Sequence, residues 1–184
     1  MRFQFLASSQ KTLMKRLRYA LLVMILWHSA SSEVQAQPDY RFHSVFMYNF
    51  TKYIQWPSSA QTGDFIIGVL GNSPIIKELE KMAENKTVGN QKISVKKFKS
   101  VAEISPCQML FIPSADSRDF EAALEKLKGK PTLVLTEKNG MGQKGSGINF
   151  VLVDGKWKFE LNENATKDAG LKVSKELSRL AILI

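Results

Sequence analysis

"INFVLVDGKWKFEL", residues 148–161, consists of two alternating runs on either side of Asp154-Gly155. Alternation with a period of two turns one face of each run toward a core. Asp-Gly suits the two-residue turn whose central backbone is left-handed. The stretch therefore predicts an antiparallel hairpin. The chain before it reads differently. "FIIGVLG" (65–71), "QMLFIP" (108–113) and "PTLVLTE" (131–137) are almost continuously apolar, as in strands covered on both faces of a parallel sheet. "KISVKKF" (92–98) alternates Ile93, Val95 and Lys97 and reads as a half-buried strand. The fold class these runs define is α/β: a single domain with a mixed β-sheet flanked by helices, and a C-terminal β-hairpin followed by a helix.

The helices come from the 3.6-residue period. Phe42, Val45, Phe46, Phe50, Tyr53 and Ile54 fall on one stripe, which predicts a first helix over 40–56. Trp56 precedes Pro57, and the residue before a proline avoids helical backbone, so the helix stops there. Asn72 or Ser73 can cap a second helix with Pro74 at its first position, carrying Ile75, Ile76, Leu79, Met82 and Ala83 inward. A third, over 116–128, turns Phe120, Ala123, Leu124 and Leu127 inward. A last helical segment holds Leu171, Val173, Leu177, Leu180 and Ala181.

Residues 1–36 read as a segment outside the fold. Lys11, Lys15, Arg16 and Arg18 precede the apolar run Tyr19–Trp27, and Val34-Gln35-Ala36 supplies a small-residue cleavage site. This is the pattern of a secretory signal peptide. The charge cluster lies far from Met1, which points to Met14 as the start. Cleavage after Ala36 leaves a mature domain of 37–184. Nine apolar residues are too few to cross about 30 Å of hydrocarbon, so no membrane insertion is expected after cleavage.

The whole chain carries a net charge of +9. Residues 1–36 hold five basic side chains and one acidic one, so the mature charge falls to +5. Lys92, Lys96, Lys97 and Lys99 form a modest group, read as a solvated face rather than a nucleic-acid surface.

Candidates for chemistry are few. "GMGQKG", Gly140–Gly145, matches G-x-G-x-x-G, but the next residues read as a strand, leaving no helix N-terminus to receive a phosphate. It reads as a mobile glycine loop. There is no P-loop sequence. Cys107, the single cysteine, precedes a buried strand and reads as an inert, partly buried thiol. It cannot form a disulfide within its own chain, which leaves only an intermolecular one. His43, the one histidine of the mature chain, reads as solvated or satisfied, and a Cys107–His43 dyad is the catalytic alternative. No cluster has metal-ligand spacing. Glu160 and Glu163 show no shared purpose. Asn49 interrupts the apolar stripe of the first helix and reads as a buried amide bonded to nearby backbone. No residue is assigned to catalysis, a cofactor or a metal, and the reading is of a non-enzyme.

"FMYNFTKYIQWP", "FIIGVLGNSP", "CQMLFIP", "LVLTE" and the stretch from Gly147 to Ala181 resemble the YfiR-like periplasmic repressor family in order and spacing. The most specific parts are Asn49-Phe50-x-x-Tyr53-x-x-Trp56-Pro57 and Ile148-Asn149-Phe150 through Phe159-x-Leu161-Asn162 to Leu177-x-x-Leu180-Ala181. The resemblance implies a periplasmic, non-enzymatic regulator. Its partner is an inner-membrane signalling protein with a periplasmic sensor domain. The partner most in keeping with the family is a diguanylate cyclase, whose repression lowers cyclic di-GMP and restrains biofilm formation. The alternatives are an accessory subunit of a membrane histidine kinase and a soluble periplasmic small-ligand binding protein. A homodimer is compatible with the family, whereas no nucleic-acid partner is implied. Partner contacts are assigned to Trp56, Asn49, Asn149, Phe159 and Asn162, with Trp56 read as packing first and partner binding second. Two departures stand out. The family's redox-linked members carry cysteine pairs, where this chain has only Cys107. Ser146 stands where the family often has a second glycine.

Overall fold

The computed structural model describes residues 40–184, which lie within one compact unit, Pro38–Ile184. The expected signal peptide and its cleavage after Ala36 fall outside the described residues. The elements in chain order are α1 (Tyr40–Tyr53), β1 (Ile54–Gln55), β2 (Phe65–Leu70), α2 (Ile75–Ala83), β3 (Thr87–Val88), β4 (Gln91–Phe98) and β5 (Met109–Ile112). There follow α3 (Phe120–Leu127), β6 (Leu133–Thr136), β7 (Ile148–Val153), β8 (Lys156–Leu161), α4 (Glu163–Asp168), β9 (Lys172–Val173), α5 (Lys175–Leu180) and β10 (Ile182–Leu183).

The main sheet has eight strands in the order β10-β8-β7-β6-β5-β2-β4-β3. The pairs from β7 through β6, β5 and β2 to β4 are parallel. The β7–β8 hairpin and the β3–β4 pair are antiparallel. The sheet is therefore mixed, and the apolar runs of β2, β5 and β6 form its centre. At the hairpin turn Asp154 has φ 51° and Gly155 φ 70°, the doubly left-handed backbone expected of an Asp-Gly connection.

Alternate residues of each strand face opposite ways, and two cores result. Ile67, Val69, Met109, Phe111, Leu135, Phe150 and Phe159 pack with Met47 and Phe50 of α1, Leu79 of α2 and Leu177 of α5. Leu70, Phe98, Leu110, Ile112 and Val134 pack on the other face with Phe120, Ala123 and Leu127 of α3.

Several sequence expectations are corrected. The first helix ends at Tyr53 rather than 56, because Ile54–Gln55 pairs antiparallel with Lys172–Val173. Its buried face is His43, Ser44, Met47 and Phe50, so Val45 is 53% exposed and Tyr53 36% exposed. Phe42 and Phe46 remain half-buried against the core. The segment at 116–128 opens with a 3-10 turn over Ser114–Asp119 before the α-helix begins at Phe120. Of the expected last helical segment only Lys175–Leu180 is helical: Val173 belongs to strand β9, Ala181 lies beyond the helix, Leu180 is 68% exposed, and a separate short helix, α4, precedes the segment before the chain reverses at Gly170 (φ 70°). Pro74 has helical backbone at the entry to α2, and Ser73 Oγ accepts from the Ile75 N–H at 3.4 Å, so the expected cap is Ser73.

Candidate functional site

The end of β6 brings two polar groups to opposite faces of the sheet. Glu137 follows Thr136, and their side chains point away from each other. Each anchors a buried cluster.

On the α1 face, His43 is 0% exposed and its Nε2 lies 3.6 Å from Oε2 of Glu137, whose side chain is 2% exposed. Tyr40 Oη donates to Glu137 Oε1 at 3.3 Å, and the Ser114 N–H donates to the same oxygen at 3.1 Å. Aromatic rings enclose the imidazole: Phe150 at 4.0 Å between centroids, Trp157 at 5.0 Å, Tyr40 at 5.7 Å and Phe111 at 6.3 Å. A carboxyl in such surroundings is poorly solvated. Burial pushes the Glu137 carboxyl above its ordinary value, against the lowering pull of the Ser114 N–H and the Tyr40 hydroxyl. Burial also raises the Tyr40 phenol.

A pH dependence follows. A carboxyl whose folded value lies above its ordinary 4.5 gives its full stability below that pH. The contribution is lost as pH rises through the folded value. Wild type compared with Glu137→Gln should therefore show its best relative stability in acid and lose ground toward neutrality. Unfolding midpoints of both proteins from pH 4 to 8 check this; parallel curves would refute it.

On the opposite face, Thr136, Ser146 and Asn149 are each at most 2% exposed. Thr136 Oγ1 lies 2.7 Å from Asn149 Oδ1 and 2.9 Å from Ser146 Oγ. A carboxamide oxygen only accepts, so the threonine proton goes to Asn149. Ser146 Oγ donates to the Ile148 carbonyl at 2.7 Å. Asn149 Nδ2 donates to Glu160 Oε2 at 2.8 Å. The glycine loop passes directly over this network. A Cβ at Gly142 would meet Ile184 Cδ1 first and sit 2.7 Å from Glu160 Oε2, so a larger residue there must shift the ends of both side chains. Asn162 ties the loop down, with Nδ2 donating to the Gly142 carbonyl at 3.0 Å, while its Oδ1 caps α4 by accepting from the Ala165 N–H at 2.9 Å. After Gly145 and Ser146 the chain enters β7 directly, with no helix in between.

The residues assigned to partner contact are thus distributed. Trp56 is 5% exposed; its Nε1 donates to the Gln108 carbonyl at 3.0 Å and its ring meets Phe65 edge-on. Phe159 is buried against Phe46 and Phe50, and Asn149 lies in the network above. Asn49 and Asn162 are half-exposed. Asn49 does not bond to nearby backbone as expected, but its Oδ1 accepts from Lys52 Nζ at 3.0 Å. Sequence reasoning missed Glu137, Thr136 and Ser146. The only signal was polarity at the end of an apolar run and at the place where the family often has glycine.

His43 and Cys107 do not form a dyad. His43 belongs with the α1-side aromatics, while Cys107 is buried in the α3-side core. Burial pushes the Cys107 thiol up to about 12. The thiolate is the reactive form, so native protein at pH 8 should not react with an aromatic disulfide reagent, and urea-unfolded protein should release one equivalent. Rapid native labelling would contradict the burial.

Among the described residues no group of three or more His, Cys, Asp or Glu side chains could hold a metal, and no helix is long and apolar enough to cross a membrane. A cleft of about 220 Å³ lies between α3, α4 and the glycine loop, next to the second cluster, with Val134, Gly145 and Gly147 around Ser146 among its walls together with Lys130, Thr132 and Asp168. The buried clusters have the character of structural polar networks that together fix β6, β7, β8, the loop and α1 in one register, although His43 Nε2 and Glu137 Oε2 face each other at 3.6 Å, beyond hydrogen-bond reach.

No curated protein matches the sequence. Residues 40–182 match the YfiR/HmsC-like family, whose members are periplasmic and regulatory rather than catalytic. This match spans every element described above except the last residue of β10, Leu183, and the chain belongs to the YfiR/HmsC-like family.

Proposed function

We propose that this chain is a non-enzymatic periplasmic regulator, exported by its N-terminal signal peptide, that binds the periplasmic sensor domain of an inner-membrane signalling protein and represses a diguanylate cyclase. The observation that carries this reading is the family match over residues 40–182. In this reading Asn49 and Asn162 contribute from the surface, and Trp56, Asn149 and Phe159 act by holding the framework beneath them.

The test is a crosslinked pull-down of the mature protein from intact envelopes, with membrane partners identified by mass spectrometry. Recovery of a protein with a periplasmic sensor domain and a cyclase output domain is the expected result. A kinase output domain would replace the cyclase part of the proposal. Recovery of no membrane protein would overturn the reading in favour of a small-ligand binding protein. The cleft beside Lys130 and Asp168 is the observation that favours this second reading.

A further inference from the structure

The eight-stranded sheet has an unfinished edge. Two-residue β3 covers β4 only at Gln91 and Lys92, while β4 continues to Phe98 with β2 as its one remaining neighbour. The direction of the unpaired groups follows from one bond. The Phe98 carbonyl accepts from the Gly71 N–H, in the segment just after β2, at 2.8 Å, so Phe98 faces β2. Successive residues of a strand point their amide and carbonyl groups to alternate sides, and a parallel ladder uses every second residue. Ser94 and Lys96 therefore also bond toward β2, whereas Ile93, Val95 and Lys97 present N–H and C=O outward. No strand pairs with them there.

The two ends of this outward series show what such an edge accepts. At one end Gln91 is paired with Val88 of β3. At the other, the Lys99 N–H donates to Glu103 Oε2 at 2.9 Å, so a carboxylate from the chain itself fills the next outward position. Between them Lys96 and Lys97 are exposed, flanked by exposed Lys92 and Lys99. There is no Asp or Glu from Gln91 to Ser100. Lys97 Nζ reaches Asn72 Oδ1 at 3.0 Å, leaving its charge uncompensated. Lysines on an edge repel basic strands and discourage self-pairing. The same charge favours an acidic strand, and complementary charge selects partners and speeds encounter.

We propose that the β4 edge from Ile93 to Lys97 is a docking site for an acidic, extended segment of a protein partner, which joins the sheet as an additional strand. Backbone bonds to Val95 and Lys97 hold it, and carboxylates beside Lys96 and Lys97 select it. The inference rests on the regulator reading only in taking the partner to be a protein. Its test needs no membrane partner, so its failure and a failed pull-down are separate results.

The mature chain is titrated with acetyl-Glu-Val-Glu-Val-Glu-amide and with the matching peptide carrying Lys for Glu, and amide hydrogen exchange is read by NMR. The acidic peptide should slow exchange at Val95 and Lys97 by about tenfold or more, with little change at Ser94 and Lys96, which β2 already protects. High salt should reverse the effect. Val95→Pro removes an outward N–H but no ladder bond, a change edge strands tolerate; it should abolish protection at Lys97 without unfolding the protein. If that variant misfolds, the Lys96→Glu, Lys97→Glu double variant replaces it and should prefer the basic peptide. Unchanged exchange with the acidic peptide, or equal protection by both peptides, would overturn the proposal. So would protection that grows with protein concentration alone, which would identify a second copy as the occupant, or protection by phosphatidylglycerol vesicles, which would identify a lipid surface.

Discussion

Trp56→Ala is expected to lower stability by about 3–5 kcal/mol, the range for truncating a large buried aromatic. Trp56 is 5% exposed and packs edge-on against Phe65 at 5.0 Å between centroids. Alanine would leave a cavity at the start of β2 and remove one of two donors to the Gln108 carbonyl, Trp56 Nε1 at 3.0 Å, leaving only the Leu133 N–H at 2.9 Å. Gln108 connects further: its side chain accepts from the Ile66 N–H at 2.7 Å and donates to the Ala60 carbonyl at 2.7 Å. Losing Trp56 therefore loosens the segment between α1 and β2 as well as the core. Urea unfolding of the mature variant checks this. A loss below about 1 kcal/mol, the usual cost of an exposed change, would show that the indole is not part of the core. If the variant also fails to bind its partner, the binding loss should track the fraction unfolded. Retained stability with lost binding would instead assign Trp56 to the interface.

Asn149→Leu should be the next most damaging change, at about 2–4 kcal/mol. Leucine matches the volume, so little cavity results and the loss is polar. Thr136 would lose its acceptor at 2.7 Å and Glu160 its donor at 2.8 Å. Each buried group left without a partner costs about 1–3 kcal/mol. Ser146 can take the threonine proton at 2.9 Å, which relieves part of the loss, and Glu160, which is only half-buried, loses the Asn149 amide but keeps contact with solvent. The glycine loop should respond first, because Gly142 lies against that carboxylate. Faster hydrogen exchange through 140–147, with β2 and β5 unchanged, is the expected signature. A stability loss under about 1 kcal/mol would show that the network is dispensable.

The strands and the hairpin were legible because their signals are local. Asp154-Gly155 fixes its own backbone, and the runs at 65–70, 109–112 and 133–136 need only their own composition to reveal burial on two faces. The phase of α1 was not legible. Phe42, Val45, Phe46 and Phe50 suggest one stripe, yet the buried face includes His43 and Ser44. What draws His43 inward is Glu137, reached through the fold and not through the helix. Tyr40, which bonds the same carboxylate, lies 97 positions from it. No periodicity records a pairing of that kind. β9 and β10 were missed for another reason: two residues are too few to show a period, and their strand character comes wholly from the partners they meet. Thr136 and Asn149 sit in apolar runs, where a pattern reading counts them as interruptions, and Ser146 sits in the glycine loop between those runs, so nothing local marks the three as one network.

The β1–β9 pairing has a consequence for how the chain assembles. Of the neighbours of α1, β2 and α2 are made soon after it, but several are made late: Glu137, Phe150, Trp157, Leu177, and the Lys172–Val173 strand that pairs Ile54–Gln55. Closing so long a loop must precede the contacts that reward it, which slows folding. Until then the Met47 and Phe50 face of the helix can meet only the early part of its core, Ile67 and Val69 of β2 and Leu79 of α2, and a helix of 14 residues is marginal alone in water. The packing of α1 is completed only when the last segments arrive, so the first of the described helices is among the last elements to settle fully, and holding chaperones have a long interval in which to act on it.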